Sequence, residues 1–213
     1  MQMTSFQRGE VAFPAWSADG KQIGFIYDAE GSQQAYVVDA SGGKPRKLKA
    51  LGVGVFALRW SRDGHWIFFG SNRSGTQQVW KTPVACGALE QMTRQGAVAG
   101  PLLESHDAKL IYYVRPGGVW SVPVGGGQEA LAVAADVDPG ELDGNQHGIY
   151  FHANSNVSKN GDLMFYRFPN GPITKVAGVE MRYGLTLSPD GRYLVYTKMT
   201  STGSDLMLVE NFW

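Results

Sequence analysis

The sequence has little of several features that would assign it quickly to a class. Cys86 is its only cysteine among 213 residues, and Lys plus Arg equal Asp plus Glu at 19 each. A single cysteine excludes a scaffold held by intrachain disulfides. Neutralising phosphates requires surplus positive charge, so we expect no direct nucleic-acid binding. The longest apolar stretch, residues 51–58, contains two glycines and is too short to span a bilayer, so we expect no membrane insertion.

What the chain does have is an internal repeat. The motif Ser-x-Asp-Gly begins at Ser17, Ser61 and Ser188, and worn copies place Ser105 and Asp143 in the same slot. The spacings between these positions are 44, 44, 38 and 45 residues. A period of about 40–45 residues with strand-like segments is typical of β-propellers.

Each repeat has the same internal pattern. An apolar segment leads into the Ser-x-Asp-Gly turn, and two strands rich in β-branched and aromatic residues and a polar fourth strand follow. The fourth strand is missing after the last repeat, whereas residues 2–6 resemble the outer strand of a preceding blade. We therefore predict an all-β fold, a five-bladed β-propeller of four-stranded antiparallel blades. The N-terminal strand would close the ring by pairing with the last blade.

The predicted blade boundaries follow directly from the repeats. The whole chain, residues 1–213, is one domain in this prediction. Its blades cover approximately residues 11–50, 55–94, 99–134, 137–178 and 182–210, with residues 2–6 as the closing strand.

The repeat motifs also resemble a known family. Ser188-Pro189-Asp190-Gly191-Arg192 before an apolar strand, and the run from Ser71 to Trp80, are similar to TolB-type, WD-repeat-like propeller repeats of bacteria. The C-terminal stretch is similar to the propeller that follows a winged-helix or Ser/Thr kinase domain in large bacterial proteins. No stretch here matches a winged helix or a kinase, so the resemblance assigns neither activity to these 213 residues.

Several residue groups invite a chemical interpretation that the repeat explains better. Ser105-His106-Asp107 occupies the turn slot, and three consecutive residues do not converge as a catalytic triad. The acidic run of residues 136–141, with Asp143, lacks the EF-hand pattern, so we interpret it as an inter-blade loop. No paired Cys/His spacing indicates zinc. We therefore expect no metal, no cofactor and no catalytic residues.

Recurring aromatic and basic residues have structural interpretations as well. The basic run of residues 44–49 falls on an outermost strand, where Lys and Pro discourage edge-to-edge pairing. Aromatic residues recur at repeat-equivalent positions, which favours a core between blades. They are Trp16, Tyr36, Trp60, Trp80 and Trp120.

Variation in loop length points to one face as a partner surface. The turn between the second and third strands is short at residues 115–117 and long at residues 154–160. Insertions in one class of turn map to one face, which is often the binding face. Its candidate ligand- or partner-binding residues are Arg73, Arg94, Arg115, Arg182 and Tyr183. The partner would be a protein or a small molecule.

The function predicted from the sequence is a non-catalytic binding or scaffold domain, the sensory or interaction part of a larger bacterial regulator. One alternative is a glycan- or peptide-processing enzyme with a site in the central channel, where only Arg59, Glu104, Glu141 and Asp143 could converge. A second is a periplasmic TolB-type interaction protein. The location would be cytoplasmic for a regulator and periplasmic for a TolB-type protein.

Overall fold

The computed structural model describes residues 6, 8–29, 31–85, 87–96, 99–153, 161–179, 181–188, 191–200 and 203–210, with the backbone alone for 29, 99, 181–183, 197–200 and 203–210. Residues 1–98 with 122–128 form one compact unit, and residues 99–121 with 129–213 form a second. Cys86, the long turn at 154–160 and residues 2–5 of the predicted closing strand lie outside the described residues.

The first unit contains two four-stranded antiparallel sheets whose strands pair in chain order. The first sheet comprises β1 (Glu10–Trp16), β2 (Gln22–Ala29), β3 (Ser32–Asp39) and β4 (Arg46–Lys47). A 3-10 turn at Lys49–Leu51 leads to the second sheet, which comprises β5 (Val55–Trp60), β6 (Trp66–Ser71), β7 (Gln78–Pro83) and β8 (Glu90–Gln91).

The second unit contains most of three further antiparallel sheets. The third sheet comprises β9 (Ala99–Glu104), β10 (Leu110–Arg115), β11 (Gly118–Pro123) and β12 (Ala130–Ala134). The fourth comprises β13 (Val137–Asn145), β14 (Gly148–Ala153), β15 (Asp162–Arg167) and β16 (Ile173–Gly178). The fifth has three strands among the described residues, β17 (Met181–Leu187), β18 (Tyr193–Thr200) and β19 (Gly203–Glu210). The all-β prediction and the strand order within each repeat are confirmed.

The cores lie between successive sheets because each strand turns alternate side chains to opposite faces. In the first unit, Ile26 and Val37 of the first sheet pack with Leu58 and Phe69 of the second. In the second unit, one cluster joins the third and fourth sheets through Leu103 and Leu142. Another joins the fourth and fifth sheets; its buried members are Tyr150, Leu163, Val179, Leu185, Leu194 and Tyr196.

The acidic stretch of the fourth repeat corrects a prediction. Residues 136–141 were expected to form an inter-blade loop and Asp143 to begin a turn, but residues 137–145 form the single strand β13. A bulge between Val137 and Leu142 accommodates Pro139 and Gly140 within that strand. The turn comes two residues later than expected, where the N–H of His147 donates to Asn145 Oδ1 at 2.8 Å.

Trp16 also departs from its prediction. This side chain is 61% exposed, whereas the repeat-equivalent Trp60 is only 8% exposed. Trp60 packs against Gly24, where a Cβ would lie 3.0 Å from the indole nitrogen. Trp60 is therefore a core residue between the first and second sheets, as predicted, and Trp16 is not buried.

Candidate functional site

The Ser-x-Asp turns form a closed set of hydrogen bonds. In the second sheet, the N–H of Trp66 donates to Ser61 Oγ at 2.9 Å, and the Ser61 hydroxyl donates to Asp63. The N–H of His65 donates to the same carboxylate at 2.9 Å. The Ser61 hydroxyl, followed by the His65 N–H, holds the pKa of Asp63 below its usual value. Serine and aspartate therefore act together to build the hairpin turn.

The same arrangement recurs at Ser17 and at Ser105. Ser105 Oγ accepts the N–H of Leu110 at 2.9 Å and donates to Asp107 at 2.7 Å. These contacts confirm the turn interpretation of Ser105-His106-Asp107. The hydrogen bond from the serine lowers the pKa of Asp107, as it does for Asp19 in the first sheet.

A cleft of about 420 Å³ lies within the first unit, between the Ser-x-Asp turns of the first and second sheets. Its wall includes the indole of Trp60 and the side chain of Val84. Its polar residues are Ser17, Asp19, Gln22, Arg62 and Asp63. Asp19 and Asp63 accept hydrogen bonds from the serines of their own turns. The cleft is therefore lined by two carboxylates, the Arg62 side chain and the ring of Trp60.

Arg73, a predicted partner-binding residue, is held within the first unit. Its guanidinium lies 5.0 Å from the ring centroid of Phe69 and 5.3 Å from that of Trp80. It also donates to Ser71 Oγ at 3.1 Å and to the Leu51 carbonyl. Burial lowers the pKa of this guanidinium. These contacts give Arg73 a structural role at the turn before β7, and its role in binding a partner stays a prediction.

Arg115 has a similar position in the second unit. Its guanidinium lies 3.4 Å from the ring centroid of Trp120 and 3.1 Å from Glu129 Oε2. Tyr113 donates to the same carboxylate oxygen at 2.6 Å. Burial, reinforced by Glu129, raises the pKa of the Tyr113 phenol. The ion pair is almost fully buried, with exposed side-chain fractions of 9% and 6%.

The remaining predicted partner residues divide into one exposed side chain and two that cannot be placed. Arg94 follows β8 and is exposed. Arg182 and Tyr183 belong to β17, but their side chains lie outside the described residues. Arg73 and Arg94 both lie at the end of the second sheet opposite its Ser-x-Asp turn. Arg73 lies in the turn between β6 and β7, and Arg94 follows the end of β8.

Of the four predicted channel residues, Asp143 has a clear partner in the next sheet. Its Oδ2 accepts the N–H of Leu187 at 2.9 Å and the hydroxyl of Thr186 at 3.2 Å. Glu104 and Glu141 are buried, at 2% and 1% exposed, and Arg59 is half-buried. Asp143 therefore fastens β13 to β17.

Sequence reasoning missed a cluster on the fourth sheet formed by Asp138, Glu141 and His152. His152 is 6% exposed, and its Nδ1 lies 3.8 Å from Asp138 Oδ2. Neither carboxyl oxygen of Glu141 and neither ring nitrogen of His152 makes a hydrogen bond of ordinary geometry in the described part of the chain. From the sequence, Glu141 was named only as a possible channel residue and was not connected with Asp138 or His152, because the acidic stretch was interpreted as a loop.

Burial raises the pKa of Glu141 to about 8, and the nearby Asp138 carboxylate adds to the rise. The backbone N–H of Gly184 opposes it, although without a well-formed hydrogen bond. Burial therefore favours the protonated form of Glu141 near neutral pH.

The described residues contain neither a metal-binding cluster nor a membrane-spanning helix. Within those residues no three His, Cys, Asp or Glu side chains are placed to hold a metal ion. No helix among them is long and apolar enough to cross a membrane.

Comparisons with known proteins point to one family. The family model described as TolB beta propeller domain matches residues 1–140. Among solved structures, TolB from Acinetobacter baumannii superposes with a TM-score of 0.77 at 17% identity, covering 95% of this chain and 52% of that one. A putative TolB from Agrobacterium tumefaciens gives 0.77 at 18% identity, covering 96% and 78%. The chain thus spans about half the length of the first of these structures.

A more distant similarity is to the β-propeller domain of the Trilobed protease from Pyrococcus furiosus, which has an open velcro topology. Its TM-score is 0.58 at 12% identity, covering 95% of this chain and 69% of that domain. The curated proteins gave no significant match. At these identities the structural similarities establish the fold alone.

Proposed function

This chain belongs to the TolB beta propeller domain family, and we propose that it is a non-catalytic binding or scaffold domain. In this proposal it is the sensory or protein-interaction part of a larger bacterial regulatory protein. The observation that carries the proposal is that the recurring polar residues form hydrogen bonds within the turns. Ser61 and Asp63, like their counterparts in the first and third sheets, are engaged in turn hydrogen bonds and so are committed to building blades.

The proposed partner surface is the end of the second sheet that carries Arg94. Arg73 would shape this surface through its contact with Trp80. Arg94 is exposed, so it can offer donors to a protein that presents carboxylates. The cleft beside Trp60 lies at the opposite end of the second sheet and is the competing surface.

Two charge reversals distinguish these surfaces. The chain would be used as bait in a bacterial extract, and the enriched protein would then be purified and its affinity measured. We expect Arg94→Glu to weaken binding at least tenfold, while Arg62→Glu in the cleft leaves it unchanged. The opposite pattern would move the site to the cleft. Turnover of a glycan or peptide by the purified chain, with no protein partner, would contradict the proposal and favour the enzyme alternative.

We also propose that the five sheets are blades of one ring closed by residues 2–6. The fifth sheet has three strands among the described residues, which leaves room for one more. Pairing of an N-terminal strand there would remove an open sheet edge. The alternative is an open ring, as in the Pyrococcus domain.

Deletion of residues 1–5 tests closure directly, because it retains Phe6. Phe6 stacks on Tyr27 with a centroid separation of 3.9 Å and contacts Tyr36, so losing it would weaken the first sheet for an unrelated reason. We expect the deletion to lower Tm by several degrees and to increase amide exchange in β19. The variant Phe6→Ala should increase exchange in β2 and β3 only. An unchanged β19 after the deletion would indicate an open ring.

A TolB-type periplasmic interaction protein is the second candidate, favoured by the two TolB structures that share the fold. The coding sequence upstream of Met1 distinguishes it. A signal peptide there would support the periplasmic candidate, and a winged-helix or kinase domain would support the regulator.

A further inference from the structure

The contact between the fourth and fifth sheets contains an unusual set of polar groups. Leu142 and Phe151 pair across β13 and β14 and face the third sheet. Because neighbours on a strand face opposite sides, Glu141 and His152 face the fifth sheet. Tyr150 lies on that same face and packs with Leu185 of β17. Glu141 and His152 are thus buried at the contact between two sheets.

Two carboxyl groups on this face of β13 have different environments. Asp143 receives hydrogen bonds from the Leu187 N–H and the Thr186 hydroxyl of β17. Glu141, two residues earlier, is 1% exposed and receives no well-formed hydrogen bond from any described residue. An ionised carboxylate there would lose its hydration with only the poorly aligned Gly184 N–H to offset the loss, whereas a neutral carboxyl loses much less.

Among the described residues no ion pair involves Glu141, and the charge that shifts its pKa is the Asp138 carboxylate. On its own strand the nearest ionisable groups are Asp138 and Asp143, both acidic. Other polar or ionisable side chains described on the packed elements include His152 and Tyr150 on β14, Asp162 and Arg167 on β15, Lys175 on β16, Thr186 on β17, Tyr196 on β18, Glu104 on β9, and Arg115 on β10, which is paired with Glu129. Lys175 lies 2.6 Å from Asp162 and is therefore already paired. The side chains of Arg182, Tyr183 and Lys198 are not described.

His152 is held firmly beside this carboxyl cluster. A Cβ at Gly161 would lie 2.3 Å from the ring of His152, so the glycine allows the backbone to close over the imidazole. Asp138 Oδ2 lies 3.8 Å from His152 Nδ1, and the Asp138 carboxylate also accepts the N–H of Gly140 at 3.0 Å. The cluster is therefore part of the packed strand and not a flexible surface group.

We propose that docking of the fifth sheet on β13 is controlled by a proton on Glu141. While Glu141 is neutral, the hydrogen bonds of Asp143 and the apolar contacts of Tyr150 hold β17 in place. When Glu141 ionises, its charge is stable only if water reaches it, which requires β17 to move away. A rise to alkaline pH would therefore weaken the contact of the fifth sheet with β13.

The direction of the effect follows from the pKa. Burial raises the pKa of Glu141 from the ordinary 4.5 to about 8 in the docked state. The docked state therefore binds one more proton than the open state between these two values. The stabilisation that Glu141 contributes to docking is complete below pH 4.5 and is lost as the pH rises towards 8.

Hydrogen exchange of the full 213-residue chain tests this proposal. Exchange of β17–β19 would be measured by mass spectrometry from about pH 6 to about pH 8 and corrected for the intrinsic rate. We expect the opening constant of these strands to rise by up to about tenfold per pH unit. The variant Glu141→Gln, which is neutral at all pH values, should remove this dependence, while Glu104→Gln, a buried carboxyl on β9, should keep it.

Two outcomes would overturn the proposal: a flat opening constant in the natural sequence, or the same slope in Glu141→Gln. If that variant does not fold, infrared spectroscopy of the unaltered chain still decides. The carbonyl band of a protonated carboxylic acid should persist at pH 7 and disappear above about pH 9. Its absence at pH 7 would also contradict the proposal. Neither result depends on whether the chain binds a partner.

Discussion

The first three sheets and the fourth sheet use polar residues in different ways. In the first three, a serine and an aspartate satisfy each other and the backbone of one turn, as Ser61 and Asp63 do. The fourth sheet has lost that serine, and Asp143 instead reaches across to β17. Polar groups that are satisfied locally stabilise one hairpin. A polar group that bonds to another sheet, as Asp143 does, holds two sheets together. In our proposal the buried Glu141 makes that contact depend on pH.

The largest loss of stability should come from a side chain added at Gly148, at the start of the second strand of the fourth sheet. A Cβ on Gly148 would lie 2.0 Å from the carbonyl oxygen of Tyr166 and 2.6 Å from the ring of Phe165. We expect Gly148→Ala to lower the free energy of unfolding by about 3 kcal/mol, because backbone must move. Gly125→Ala, where a Cβ meets nothing within 4 Å, is the matched control and should have little effect. Urea denaturation of both variants measures the difference.

Removing the link between sheets should have the next largest effect. Asp143→Ala deprives the N–H of Leu187 and the hydroxyl of Thr186 of a charged acceptor. We expect a loss of about 2 kcal/mol, with exchange increasing in β17 before β14. Asp143→Asn keeps an acceptor oxygen and should cost less. Equal losses for the two variants would show that the hydrogen bonds are not what fastens the sheets.

Removing one local turn should cost somewhat less and should affect only its own hairpin. Ser61→Ala removes the acceptor for the N–H of Trp66 and the donor to Asp63. We expect a loss of about 1.5 kcal/mol and faster exchange in β5 and β6. Ser74→Ala is the matched control, because that exposed hydroxyl makes only a 3.4 Å contact with the Thr76 carbonyl. Faster exchange in the first sheet as well would contradict the view that each turn is independent.

The sequence predicted the regular sheets well because their information is local. Strand pattern and turn residues occur together within each repeat, so Ser105 and Asp107 could be assigned to a turn even with His106 between them. The outermost strand at residues 46–47 could be assigned in the same way. These assignments need no knowledge of which sheet packs on which.

The fourth sheet was harder because its determinants are not local. Asp138, Pro139, Gly140 and Glu141 have the composition of a loop, and only pairing with β14 makes them a bulged strand. The exposure of Trp16 could not be predicted either, because Trp60 is buried by the close approach of Gly24, a contact that the repeat alone does not specify. Arg115 was predicted to face a partner, whereas it is paired with Glu129. The pair could not be predicted, because its two residues are 14 positions apart and meet only when the strands of the third sheet pair.

A single NMR titration of the side-chain carboxyl carbons compares the two kinds of polar group most directly. Asp63, held by Ser61, should titrate below the ordinary aspartate value, whereas Glu141 should titrate at about 8 and remain protonated at pH 7. That result would show that the fourth sheet carries a neutral carboxyl at its contact with the fifth. A Glu141 pKa near the ordinary 4.5 would contradict the account, because the carboxylate would then be hydrated or paired in the folded chain.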